Sequence, residues 1–509
     1  MGANNEMNQE QLQDKINEAI LSACEILRRD VSGENYINYA LVILFVKYIS
    51  DNYKDKKVNE VHNENEFVLD ENCTFDYLYS KRNEDNIGEI INKALETITD
   101  LNKDKTLNLF ADVDFNSEEI FGKKKKRNAI LRNLLANFNN ADIDLRLSKP
   151  ESSDIIENAC EYLLEKFASN SGKKGMEFYT PTEISILLAK LVKPKENDRV
   201  YDPACGFGLS LLKVTKEVKD KKVGIYGQES NSSIYNLCRI NMFLHGVNDA
   251  HIECGDTLSN PMHLENDDLM KFDVIVSNPP FLLDKWAKGF EPTSSTNITD
   301  SKTKDTFKME AVLDKYNRFK YGIPPKDKGD YAFIQHMLKS LNDYGRMAVV
   351  LLQGALFRGA VEGKIRREIL ANNLIDAVIG LPANLFYGTA VSVAVVVIKR
   401  NRTRKDILFI DASHEYKKGK TQNTLTDKNI QKISETYENY KEIPKYSHIA
   451  TIDEIKTNEY NLNIKKYVDI FETKTEIDIE ETKKNIKEIN EEMYVLEKEI
   501  QELLKELQK

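Results

Sequence analysis

The spacing of apolar positions changes twice along this chain, and each change predicts a different kind of structure. From the start to about residue 165 the spacing is helical: Tyr36, Tyr39, Ala40, Ile43 and Leu44 share one stripe, and Leu131, Leu134, Leu135 and Phe138 another. Between residues 199 and 411 short continuous apolar runs take over, bounded by Gly, Pro and Asp. They are 199–202, 223–228, 251–254, 272–276, 346–352, 375–381, 391–399 and 407–411. Such runs predict strands covered on both faces. Helical patterns at 182–192, 232–245 and 331–341 alternate with them, so this part reads as a doubly wound α/β domain. Near the end, Ile479, Thr482, Ile486, Ile489, Met493, Leu496, Ile500, Leu503 and Leu507 step by threes and fours, an a/d seam flanked by Glu and Lys. A lone helix with such a stripe needs a partner to cover it, which predicts a coiled coil with another chain. The predicted division is a helical N-terminal domain at 1–165, a catalytic α/β domain at 166–420, a connector at 421–475 and a heptad helix at 476–509.

Polar chemistry gathers at the ends of the predicted strands, where open α/β sheets bind ligands. Asp202 closes the first strand and leads into Gly206-Phe207-Gly208-Leu209, whose glycines let backbone approach a ligand. A dinucleotide fingerprint needs a third small residue, and Leu211 stands there, which disfavours nicotinamide binding. Glu229 ends the second strand, where nucleoside-binding sheets place a carboxylate for ribose hydroxyls. Asp256 follows the third strand and reads either as a turn residue or as an acceptor for an adenine amino group. The fourth strand ends in Asn278-Pro279-Pro280-Phe281, and two prolines cannot continue a ladder. An Asn oxygen and a proline-fixed carbonyl can both accept from one exocyclic amino group and disperse the charge that develops there during attack. Phe281 offers a face for a flipped-out base. Upstream, Glu177-Phe178-Tyr179-Thr180-Pro181-Thr182 precedes a helix, with Thr182 as its expected cap; the aromatic pair reads as packing or as a cofactor wall.

Composition narrows the function classes. No apolar stretch reaches the length of a membrane span, and the polar N-terminus lacks a signal-peptide core. The six cysteines show no metal spacing, which suits a reducing cytoplasm. A net charge of −10 makes a poor general DNA binder, so any DNA grip is local or shared with a partner. The run Lys123–Arg127 reads as a solvated loop. Residues 282–329 form a long polar excursion in which Arg318, Lys320, Tyr321 and Lys326 read as solvated loop residues, with nucleic-acid contact as the alternative.

Together these residues resemble the modification (methylation) subunit of bacterial type I restriction–modification systems. The likeness runs over nearly the whole chain. It includes Phe178-Tyr179-Thr180-Pro181, Asp202-Pro203-Ala204-Cys205-Gly206-x-Gly208, Glu229, Asn278-Pro279-Pro280-Phe281, Asp330-Tyr331-Ala332-Phe333, Gly380-Leu381-Pro382 and Asn461-Leu462-Asn463-Ile464. The resemblance implies a Rossmann-like methyltransferase that uses S-adenosylmethionine to methylate N6 of adenine in double-stranded DNA, while a separate specificity subunit reads the sequence. That subunit is expected to dock through the C-terminal helix, which fits the small room left for a DNA-reading domain. A second copy of this chain and a restriction (translocase/nuclease) subunit are further candidate partners. Phe207 stands where the family carries a small hydroxyl residue. Two other readings fit parts of the pattern: a methyltransferase acting on glutamine or RNA amines, and a scaffold of the same fold with impaired catalysis.

Overall fold

The computed structural model describes residues 9–31, 36–54, 66–140, 143–146, 152–171, 175–218, 222–281, 283–287 and 314–469, with single positions between 487 and 500. Among these, the apolar runs form one sheet of nine strands: β1 (Arg199–Asp202), β2 (Gly224–Glu229), β3 (His251–Cys254), β4 (Phe272–Ser277), β5 (Leu341–Leu352), β6 (Ile375–Gly380), β7 (Val393–Lys399), β8 (Ile407–Asp411) and β9 (Ser447–Ala450). Their order is β3-β2-β1-β4-β5-β7-β6-β8-β9. The first five are parallel neighbours, and β6 and β8 pair in parallel too. β7 runs antiparallel between β5 and β6, and β9 antiparallel to β8, so the sheet is mixed.

Side-chain alternation divides the strands between two cores, as the period of two requires. In β7, Val393, Val395 and Val397 face helices Thr182–Val192, Leu209–Glu217 and Asp427–Glu438, while Ala394, Val396 and Ile398 face helices Asp330–Ser340 and Ala360–Ala371. Both faces are apolar, which is why the sequence shows runs here rather than alternation. The segment 421–475, expected as a connector, holds helix Asp427–Glu438 and β9 and packs on this body.

The N-terminal region is helical. Helix Tyr36–Tyr53 is buried along most of its length, and its Phe45 meets Phe67 and Phe243 with ring centroids 5.5 and 5.7 Å away. Phe243 belongs to helix Ser232–Leu244 of the α/β body, so one core spans the two regions. Polar contacts fix this junction. Asn236 Nδ2 donates to Asp112 at 2.8 Å, and Lys213 pairs with Glu161 in a nearly solvent-free position. Burial opposes ionisation of Glu161, yet hydrogen bonding from His245 and the charge of Lys213 hold its pKa down at about 2.

Three local expectations change. Residues 124–127 of the basic run open helix Lys124–Phe138, and Arg127 is buried with Nη1 on the Asn116 carbonyl at 2.8 Å. Five cations in succession read as a solvated loop, but Ile130, Leu131, Leu134 and Phe138 drive the segment into the core as a helix. Arg318 is buried rather than solvated, paired with Asp314. Helix Ser152–Asn170 runs through the boundary expected at residue 165. Most of 476–509 lies outside the described residues. The positions described there, among them Ile489, Met493, Leu496 and Ile500, are helical, and these four are 53% to 58% exposed.

Candidate active site at the strand tips

The site starts from Asp202 at the end of β1. It is buried, and its Oδ1 accepts from the Ala204 amide at 3.0 Å and from Ser277 Oγ at 2.8 Å, which ties β1 to the last residue of β4. Burial pushes its pKa up to about 7. The following loop holds Gly206 at φ +53° and Gly208 at φ +79°. A Cβ at Gly206 would stand 2.4 Å from the Phe178 carbonyl oxygen, and one at Gly208 2.3 Å from Met242 Cε. Both positions therefore demand glycine. Phe207 between them faces away from the ligand side. It is buried in the core shared with the N-terminal helices, edge-on to Phe178 at 5.4 Å and to Phe167 at 6.2 Å. Leu209 lies in the same core. Their side chains consequently anchor the loop, and neither is among the residues that line the pocket described below.

Glu229 closes β2 and turns back on that loop. Its Oε2 accepts from the Gly206 amide at 3.1 Å and its Oε1 from the Asn231 amide at 2.8 Å. Burial raises its pKa. Asp256, just beyond β3, accepts from the Leu258 amide at 3.0 Å and from Ser259 Oγ at 2.8 Å. It is thus a turn residue by its hydrogen bonds, and it also lines the pocket. That pocket, about 440 Å³, is lined by Phe178, Glu229, Asp256 and Pro280 from the residues expected in the site. This volume is in the range of small-molecule sites. Ala204, Asn231, Ile234, Lys285, Trp286 and Phe333 also line it and were missed. Trp286 is the single tryptophan and follows the Asn-Pro-Pro-Phe turn closely, which was the available signal.

Asn278 is buried at the end of β4, and its Oδ1 meets no hydrogen-bond partner among the described residues. Buried polar atoms are nearly always paired, so this acceptor at a strand tip has unused hydrogen-bonding capacity among the described residues. Pro279 is buried beside it, and Phe281 is half-buried with its ring edge-to-face on Phe386 at 5.3 Å.

The upstream segment divides. Phe178 lies in a short helical turn, Gly175–Phe178, stacks on Phe167 at 5.7 Å and reaches the pocket. The side chain of Glu177 lies outside the described residues. Tyr179, Thr180, Pro181 and Thr182 are absent from the pocket lining. Tyr179 is buried against Tyr387 at 5.9 Å. Pro181 occupies the cap position of helix Thr182–Val192, and Thr182, expected as the cap, sends its hydroxyl to Glu161 at 3.5 Å. Phe178 meets the glycine loop directly, its carbonyl accepting from the Phe207 amide at 3.3 Å.

Comparison with known proteins agrees with this arrangement. The N-6 DNA Methylase family matches residues 151–476, and the HsdM N-terminal domain family matches residues 16–138. The chain is 31% identical to the type I restriction enzyme MpnII methylase subunit of Mycoplasma pneumoniae, over 97% of this chain and 96% of that protein. It is 33% identical to the MjaVII methylase subunit of Methanocaldococcus jannaschii, over 88% and 77% respectively. A crystal structure of a type I restriction–modification methyltransferase subunit from Streptococcus thermophilus superposes with a TM-score of 0.78 at 30% identity, covering 90% of this chain and all of that one. With its strand tips, orphan Asn acceptor and full-length relatives in view, this chain belongs to the N-6 DNA methylase family, among the methylase subunits of type I restriction enzymes.

Proposed function

We propose that this pocket binds S-adenosylmethionine and that Asn278 presents the target adenine N6 to it. The donor set fits that cofactor. Glu229 offers a carboxylate for ribose hydroxyls, Asp256 lines the pocket as a candidate acceptor for an adenine amino group, and Ile234, Trp286 and Phe333 supply apolar walls. S-adenosylmethionine supplies an electrophilic methyl group, so the protein's task is to position the amine and stabilise its developing charge. Asn278 Oδ1 and the Pro279 carbonyl accept from the amino group, which favours a pyramidal nitrogen. Phe281 provides the face on which a base swung out of the duplex stacks. The observation that carries this reading is the buried Asn278 Oδ1 with no partner among the described residues.

Sequence recognition comes from a specificity subunit that covers the exposed stripe of Ile489, Met493, Leu496 and Ile500, in the cytoplasm, in assemblies that include a second copy of this chain and a restriction subunit. The test of the active-site reading is Asn278→Ala. It should lower methyl transfer to DNA by about 10²–10³ while S-adenosylmethionine binding by calorimetry stays near that of the parent. Near-parental incorporation of tritiated methyl groups would sink the assignment.

A further inference from the structure

Beneath the pocket lies a buried polar chain that the transfer chemistry does not use. Arg318 is 3% exposed. Its Nε donates to Asp314 Oδ1 at 3.0 Å, and its Nη2 reaches the Leu258 carbonyl at 2.7 Å. Nη1 donates to the Thr257 carbonyl and to His336 Nδ1, both at 3.3 Å. A guanidinium only donates, so His336 Nδ1 must accept, and the imidazole proton then sits on Nε2. Nε2 lies 3.2 Å from the Tyr201 hydroxyl. Tyr201 directly precedes Asp202, and Thr257, whose carbonyl Arg318 holds, sends its hydroxyl to the Pro203 carbonyl at 2.5 Å. Burial, then the charge of Arg318, hold His336 well below its ordinary pKa, in keeping with that neutral tautomer.

The chain therefore begins at Arg318, within the excursion, and ends on the two loops that form the pocket. One is the turn after Asp256 and the other is Asp202-Pro203-Ala204. A buried ion pair is costly, and apolar residues would stabilise a fold as well. What the fork adds is geometry, because four acceptors are fixed by one planar group.

We infer that Arg318 is a positioning residue for the cofactor: directly through the Thr257 and Leu258 carbonyls, and through His336 and Tyr201, it sets the spacing of the Asp256 turn and the Pro203 loop. The inference rests on the pocket being the S-adenosylmethionine site.

The test uses the full-length chain, with affinity read by calorimetry and kcat and KM read in the complex with its specificity subunit. Arg318→Lys keeps the charge and loses the fork. It should weaken S-adenosylmethionine binding about tenfold. Turnover at saturating cofactor should stay within about twofold, a KM effect without a kcat effect. A purely structural role would lower the melting temperature and leave the affinity of the folded molecules unchanged. His336→Leu should weaken binding to a similar degree. His336→Gln, whose amide can accept from Arg318 and donate to Tyr201, should restore affinity to within about threefold; these two decide the matter if Arg318→Lys does not fold. Parental affinity in both Arg318→Lys and His336→Leu would overturn the inference, provided that Glu229→Ala lowers affinity about ten- to a hundredfold. If Glu229→Ala is also silent, the pocket assignment itself fails.

Discussion

At the scale of single residues, sequence carried the chemistry better than the direction of side chains. Asn278 was legible because Pro279-Pro280 ends the strand, which forces the Asn to its tip. Glu229 was legible from its place at the end of β2. The facing of Phe207 was not legible, because a residue between two glycines has no periodicity from which it can be read, and tertiary packing sets it against Phe167. Glu161 gave no signal either, since its partners Lys213 and His245 lie far along the chain. Its effect on stability can now be worked out. The folded pKa, about 2, lies below the ordinary glutamate value of about 4.3, so the stabilisation is present above that ordinary value and is lost as pH falls toward 2. Glu161→Gln leaves Lys213 buried without its countercharge and should cost about 3–5 kcal/mol at neutral pH. Urea titrations at pH 7 and pH 3 check this: the gap between parent and variant should shrink at the lower pH, and an equal gap at both would contradict it.

At the scale of elements, strands were easy to find and hard to orient. A run buried on both faces announces itself, but nothing in Val393–Lys399 tells whether it runs with or against its neighbours. β9 escaped because Ser447-His448-Ile449-Ala450 is short, partly polar and at the sheet edge. The stripe Leu131, Leu134, Leu135 and Phe138 announced helix Lys124–Phe138, but its basic first turn, Lys124–Arg127, escaped because four cations carry no apolar periodicity. The heptad seam makes the prediction at this scale. Each such apolar side chain gains about 1.5–3 kcal/mol on full burial, so the stripe at Ile489, Met493, Leu496 and Ile500 can hold a partner firmly. Removing residues 476–509 should leave a folded chain that still binds S-adenosylmethionine but no longer co-elutes with the specificity subunit on size exclusion. A stable complex with full sequence-specific methylation would show that the tail is not the docking element.

At the scale of the whole molecule, two folded regions share one core, and the pocket opens where that core meets the sheet. Phe178 and Ile234 line the pocket while packing against the N-terminal helices, so cofactor site and interdomain contact are built from the same side chains. The sheet contributes the polar groups, since Asp256, Glu229, Asp202 and Asn278 stand at the ends of the neighbouring strands β3, β2, β1 and β4. Such an arrangement is what a doubly wound topology offers at its carboxyl edge, and that part of the fold was readable from strand ends alone. The central claim is that this assembly of tips methylates adenine N6 in duplex DNA through Asn278. It is tested most directly by nucleoside mass spectrometry of DNA incubated with S-adenosylmethionine and the purified complex, with the Asn278→Ala complex beside it. The account predicts N6-methyladenine with the parent complex and a loss of about 10²–10³ in its rate of formation with the variant. Methyl groups recovered on another base, on RNA or on protein glutamine, or equal N6-methyladenine from both complexes, would contradict it.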